Sequence, residues 1–300
     1  MRNLLLGLLT LFGVVVTAQA CDELGITGFV EDSSMLQQAF SLRQSEIDKA
    51  EYDRILDKIE DIYTPIFKEK GGVMKIMRLW ESEELNARAA RNNDDWILKM
   101  YGGLARHASF TSDGFALVAC HEIGHHIGGA PKKSSFFDKF SWVSNEGQAD
   151  YWANAKCFRR YVLMDDNVAI VAEMGVDNFV RKQCEESFKE FDENEIAVCI
   201  RGAMAGKSLA NFFGSQRGVE LSFETPDDEV KEKTFHRHPA AQCRMDTYFQ
   251  GSLCDISYEV EVSQKDYKTG LCSRVDGFEL GVRPLCWFKP DSIEETLSLL

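Results

Sequence analysis

The sequence has no N-x-S/T sequon, no CxxC pair, no internal repeat and no low-complexity tract. Each absence removes a class of protein. Without a sequon there is no N-glycan acceptor, which favours a bacterial envelope over a eukaryotic secretory route. Without CxxC, the nine cysteines read as loop staples rather than metal ligands. After residue 20 no apolar run reaches the roughly 20 residues of a membrane-spanning helix, so the mature chain reads as a soluble domain. Positive charge is also scarce: 34 Lys and Arg stand against 48 Asp and Glu, a net charge of -14. A nucleic-acid partner needs a basic footprint, and none is visible. What remains is ordinary globular usage, 44% hydrophobic and 27% charged, over 300 residues. That length is enough for one sizeable domain or two small ones with a real core.

The first twenty residues have their own pattern. Met1-Arg2-Asn3 leads into an uncharged stretch from Leu4 to Val16, and Ala18-Gln19-Ala20 supplies an A-x-A cleavage site. This is a secretory signal peptide. Cys21 follows the cut directly, so two readings stay open: ordinary cleavage, or acylation of Cys21 as in bacterial lipoproteins. That lipid would be the chain's one link to a membrane. Export permits disulfides. If Cys21 is lipidated, eight cysteines remain to pair; if Cys21 is oxidised, Cys120 is the odd one out. Cys184 with Cys199 and Cys243 with Cys254 are the expected short loops, in a C-terminal half braced by its cysteines.

Along the chain, Tyr52, Ile55, Leu56, Ile59, Ile62 and Tyr63 form an amphipathic helical stripe that should end near Pro65. Val73 to Trp80 reads as a strand. Asn86 to Arg91 and Trp96 to Tyr101 flank a turn-forming Asn92-Asn93-Asp94-Asp95. Thr111-Ser112-Asp113 offers N-caps to a helix from Phe115 to Ile127, stopped by Gly128-Gly129-Ala130-Pro131. An aromatic loop follows, with Phe136, Phe137, Phe140 and Trp142. Ser144 then caps a second helix from about Asn145 to Arg160. The remainder is mostly helical to Gly251, interrupted by a solvated linker at 225–233. Gly202 to Ser208 resembles a phosphate loop but has three residues between its glycines where four are needed, so its small residues should serve helix packing.

Chemistry concentrates in His121-Glu122-Ile123-Gly124-His125. Residues four apart on a helix lie about 40° apart around its axis, so both imidazoles can address one metal. Glu122 sits beside the first ligand, where a carboxylate can take a proton from an activated water. Two histidines hold zinc poorly, and a catalytic site wants three protein ligands. Glu146 can be the third. Asp150, four residues on, can accept the outer ring N–H of a ligand histidine and fix its tautomer. His126 lies about 140° around the helix from His121 and cannot join them. It should be packed or exposed, and His107 and His236 structural.

The His-Glu-x-x-His helix followed by Asn145-Glu146-x-x-x-Asp150 resembles the gluzincin metallopeptidases, with the short interval of thermolysin-like enzymes. The wider context is similar to the CAAX prenyl endopeptidase and heat-shock metalloprotease family, over roughly residues 50 to 250. Asn86-Ala87 matches that family's strand motif, Tyr101-Gly102-Gly103 its glycine-bearing edge strand, and His238-Pro239 with Arg244 its His-Pro element. Two departures stand out: the family's membrane helices are missing, and the glutamate follows the zinc helix sooner.

The resemblance implies an α+β zincin-like fold, mostly helical with a small sheet. Residues 1–20 would be signal, 21–50 an N-terminal segment, 51–250 the metallopeptidase domain, and 251–300 a tail packed on it. It implies one zinc on His121, His125 and Glu146, Glu122 as general base, and a protein or peptide substrate. An extended substrate would add along the strand ending at Gly102-Gly103. His238 would donate to the oxyanion, with Arg244 supporting or replacing it. Two other classes remain in view: a zinc-bearing chaperone or binding module that does not cleave, and a hydrolase of cell-wall amides.

Overall fold

The computed structural model describes residues 26–30, 45–133 and 142–290; the signal segment, Cys21, Phe136, Phe137 and Phe140 lie outside them. Helix α1 (Lys49–Glu69) starts where the Asp48 carboxylate accepts from the Glu51 amide at 2.8 Å. Its buried face carries Tyr52, Ile55, Leu56, Ile59, Tyr63 and Phe67. The helix does not end near Pro65. The missing N–H of Pro65 removes one backbone bond, whereas continuing the helix buries Phe67 against the Trp96 ring at 5.1 Å. Burial of an aromatic side chain outweighs that loss.

Four strands form one mixed sheet in the order β1-β3-β4-β2: β1 (Ile26–Gly28), β2 (Val73–Leu79), β3 (Ala87–Asn92) and β4 (Asp95–Tyr101). β3 and β4 make the expected hairpin, turning at Asn93-Asp94 with Asn93 at φ 54°, a left-handed conformation that asparagine tolerates. The strand that ends at Gly102 is not an edge. β4 is paired antiparallel to β3 on one side and parallel to β2 on the other. Its hydrogen-bonding groups are taken on both sides, so no substrate strand can add there. Gly102 opens the short helix α2 (Gly102–Arg106) instead.

Helix α3 (Ser112–Ile127) is capped by Thr111, whose Oγ1 accepts from the Gly114 amide at 3.0 Å. From Gly114 onward every side of it is buried, the pattern of a central helix. It stops at Gly128, and Gly129 at φ 84° turns the chain away. Helix α4 (Glu146–Trp152) is capped by Asn145, whose Oδ1 accepts from the Gln148 amide at 2.8 Å. Ser144 is not the cap; it lies one residue before the N-cap position, and its hydroxyl donates to the Gly129 carbonyl at 2.7 Å. The helical run continues through a π-helical turn (Ala153–Phe158) into α5 (Arg159–Tyr161). α3 and α4 cross closely: a Cβ on Gly124 would meet the Ala149 backbone at 3.1 Å.

The C-terminal half consists of α6 (Asn167–Ala172), α7 (Asn178–Ser187), α8 (Glu193–Arg217), α9 (Ala241–Leu253) and an irregular tail. The phosphate-loop look-alike lies in mid-helix on α8, where Gly202 faces Asn154 and Gly206 faces Tyr248. Its small residues do serve packing. Four disulfides join Cys120 to Cys157, Cys184 to Cys199, Cys243 to Cys286 and Cys254 to Cys272. Cys184–Cys199 is the expected loop. Cys243–Cys254 is not formed, because α9 runs between them and a helix rises about 1.5 Å per residue. That puts them about 16 Å apart, far beyond a disulfide's span. Cys120 is not the odd one out, since it pairs. The architecture is therefore α+β with a disulfide-braced helical part. No helix among the described residues is long and apolar enough to cross a membrane, and four disulfides fit an oxidising compartment.

Candidate metal centre

Each ring of the His-Glu-x-x-His helix is aimed by a bond to its outer nitrogen. The His125 Nδ1–H donates to the Ser144 carbonyl at 2.8 Å, which leaves its Nε2 as a lone pair facing inward. His121 Nδ1 lies 2.7 Å from Asp150 Oδ1, one helical turn along α4 from Glu146. Asp150 is itself held. Arg244 on α9 donates to both of its oxygens at 2.8 and 2.7 Å, and the Tyr248 hydroxyl donates to Oδ1. Burial opposes the charge on Asp150, but Arg244 and His121 outweigh it and bring that carboxyl down to about 2.

Glu146, in the first turn of α4, completes the cradle. Its Oε2 lies 3.3 Å from His121 Nε2 and 3.6 Å from His125 Nε2. Ligand atoms at about 2.1 Å from a tetrahedral ion stand about 3.4 Å apart. The two separations bracket that value. His121, His125 and Glu146, all fully buried, offer ligand atoms within 4.8 Å of one another, so the group can hold a metal ion. The chemistry of the donors agrees. His125 Nε2 and both Glu122 oxygens are buried with no hydrogen-bond partner among the described residues. Buried polar atoms left so are costly, and a metal ion satisfies convergent lone pairs that no donor reaches. A second grouping, Asp227 with Cys243 and Cys286, is no rival, because its two sulfurs are joined to each other.

The charges in the cradle are unequal. Burial pushes His125 down to about 3, against the pull of Glu146. Burial also disfavours the cation on His121, but Asp150, Glu146 and Glu122 outweigh it and raise that ring to about 9. Glu146 is held well below the usual carboxylate range: burial opposes its charge, yet His238, Lys133 and His125 prevail. At Glu122 the balance goes the other way, because burial and the Glu146 charge outweigh His121, His238 and Arg88. Burial pushes it up to about 8, next to neutrality, where a proton acceptor works best.

The structure also brings His238 to the cradle, with Nε2 3.2 Å from Glu146 Oε2 and 2.7 Å from the Gly28 carbonyl oxygen. Arg244 is placed differently. Its guanidinium is spent on Asp150 and on the Phe29 carbonyl at 3.2 Å, one layer behind the ligands. His126 packs, as expected, between the Trp96 and Trp142 rings at 5.6 and 4.8 Å. His107 packs against Phe212 at 4.9 Å, and His236 lies beside Asn145. Three contributors escape sequence reasoning. Lys133 Nζ sits 3.0 Å from Glu146 Oε1, Tyr248 donates to Asp150, and Phe29 packs edge-on to the His121 ring at 5.3 Å. Tyr248 had a faint signal, one helical turn after Arg244; Lys133 and Phe29 had none.

No family model, curated protein or solved structure matches this chain.

Proposed function

We propose that the protein is an exported zinc metalloendopeptidase with a zincin-like fold, similar in its site to the CAAX prenyl endopeptidase and heat-shock metalloprotease family. Its setting would be the bacterial periplasm or cell envelope. The observation that carries this reading is the buried carboxylate of Glu122, unpaired beside a two-histidine, one-glutamate cradle. Held by His121, His125 and Glu146, zinc would polarise a carbonyl and lower the pKa of water toward about 7. Glu122 would accept that water's proton and return it to the leaving amine. His238 would donate to the oxygen that gains charge as the carbonyl is attacked. Asp150, fixed by Arg244 and Tyr248, would keep His121 in the tautomer whose Nε2 faces the metal. A module that only bound zinc would have no use for an unpaired carboxylate at Glu122, whose burial costs stability and returns nothing to a ligand set already complete.

The test is metal content and peptide hydrolysis measured together on wild type and Glu122→Gln. Wild type should carry about one zinc per chain and cleave casein. The variant should keep that zinc while turnover falls about 100- to 10,000-fold. Undiminished cleavage by the variant would refute the role of Glu122. Wild type that binds zinc and cleaves neither casein nor peptidoglycan would indicate a binding module, and cleavage of peptidoglycan alone an amide hydrolase of the cell wall.

A further inference from the structure

β1 is an odd strand. It is three residues long, and its neighbours in space are the groups that build the metal centre. Gly28 offers its carbonyl oxygen to His238 Nε2 at 2.7 Å, and the same nitrogen is 3.2 Å from the ligand oxygen of Glu146. Phe29 is fully buried, with its ring 5.3 Å from His121, 5.0 Å from Phe213 and 4.7 Å from the Arg244 guanidinium. The main chain is gripped at every step. The Phe29 amide donates to the Ala87 carbonyl at 2.9 Å, and the Phe29 carbonyl accepts from Arg244. Asn86 clasps Val30 on both sides, accepting from its amide at 2.9 Å and donating to its carbonyl at 3.1 Å. At Gly28 there is little room for a side chain: a Cβ would stand 3.2 to 3.3 Å from Val30, Arg88 and Asn86.

A strand added to a sheet edge by main-chain bonds, with one anchoring side chain in a pocket, is how extended peptides are recognised. β1 uses the outer edge of β3, and while it is there no other strand can pair with that edge. The sites it touches (His238, Arg244 and the face of His121) are those a peptide lying over the metal would touch. We propose that Ile26–Val30 is a built-in occupant of the substrate cleft, which holds the site closed until it withdraws. By the same token the cleft accepts an extended peptide with a small residue beside His238 and an aromatic one next to it. The inference rests on the peptidase reading for what the cleft is used for, but the binding it predicts needs no hydrolysis.

The test uses the full mature chain, loaded with zinc, and a fluorescent peptide copying Ile26–Val30. Two variants free the cleft by separate means: Phe29→Ala removes the anchor, and Gly28→Val crowds the strand off its neighbours. Where a resident segment fills the cleft in nine molecules of ten, a competing ligand loses about tenfold in apparent affinity. Both variants should therefore bind the peptide at least ~10-fold more tightly than wild type, with casein hydrolysis rising in step. Folded variants that bind the peptide no better than wild type would overturn the proposal and make β1 an ordinary strand. So would failure of both variants to fold, because a cleft occupant is dispensable to the fold and a structural strand is not. Variants that bind the peptide yet cleave nothing would leave this inference standing and remove the peptidase reading instead.

Discussion

The two halves of this molecule are held together by different forces. Around α3 and α4 the contacts are polar, buried and mutually dependent: His121 leans on Asp150, Asp150 on Arg244, and Glu146 on Lys133 and His238. From α7 to the tail the cross-links are covalent and the packing apolar, with three of the four disulfides. The polar half stores its cost in groups without partners, such as Glu122; the stapled half has no comparable cluster among the described residues. The halves meet on α9. That helix carries Arg244 toward the site and Cys243 toward the staple, so the rigid half positions the costly one.

The comparison is broken most completely by removing a ligand. Glu146→Ala should lose the metal on desalting, because two histidines cannot complete the coordination. Its disulfide-braced half should stay folded, since Glu146 carries none of the cross-links that hold it. Metal analysis with far-UV circular dichroism reads both. Metal retained at the wild-type level would mean that another group serves as the third ligand.

Next in size is His238→Ala. Loss of one oxyanion donor typically costs about 100- to 1000-fold in turnover. Zinc content and melting temperature should hold, because His238 is partly exposed and Glu146 keeps Lys133 beside it. Turnover within a few-fold of wild type would take His238 out of the reaction. Loss of zinc would make it a ligand.

How much of this was legible depended on how local the signal was. The His-Glu-x-x-His helix and the Glu146–Asp150 interval could be read because one helical turn converts spacing directly into a shared face. The β3–β4 hairpin was legible for the same reason, a turn written in adjacent residues. Long-range pairing was not. Cys243 bonds Cys286 across 43 residues, and nothing near either cysteine names the other. β4 read as an edge because strand order is set by which segments meet, and β2 reaches it as a parallel neighbour with no adjacent turn to announce the pairing. Lys133 reached Glu146 through a loop whose course no periodicity describes. The resemblance to a metallopeptidase family singled out His238 and Arg244, but only the fold separated their places, one against a Glu146 oxygen and the other behind Asp150.

A third experiment cuts the staple on α9. Cys243→Ser with Cys286→Ser opens a loop of 43 residues, which loop-closure entropy values at about 4 kcal/mol. Urea unfolding should show a loss of that order. Metal affinity of the molecules still folded should barely change, since Arg244 keeps both bonds to Asp150 as long as α9 is formed. A fall in zinc affinity matching the loss of stability would show that the halves do not work as separate units, and that the staple tensions the site directly.

The smallest effect tests the stapled half for a hidden charge. Asp246 is buried on α9, accepting from the Asp227 amide at 2.7 Å and from Gln242 at 2.8 Å, with no cation beside it among the described residues. Burial raises it from 3.8 to about 6, and those two bonds only partly compensate. The sign follows from which form the fold prefers. A carboxyl raised in the folded state favours the protonated molecule, so its contribution is full below pH 4 and is lost as pH climbs through about 6. Two pKa units correspond to about 3 kcal/mol. Asp246→Asn has nothing to ionise, so wild type should lose up to about 3 kcal/mol relative to the variant between pH 4 and pH 7. Taking the difference cancels every other titrating group, the metal ligands included. A difference that stays flat across that range would mean that water or a cation reaches Asp246 in solution, and that the stapled half is more open than its cross-links suggest.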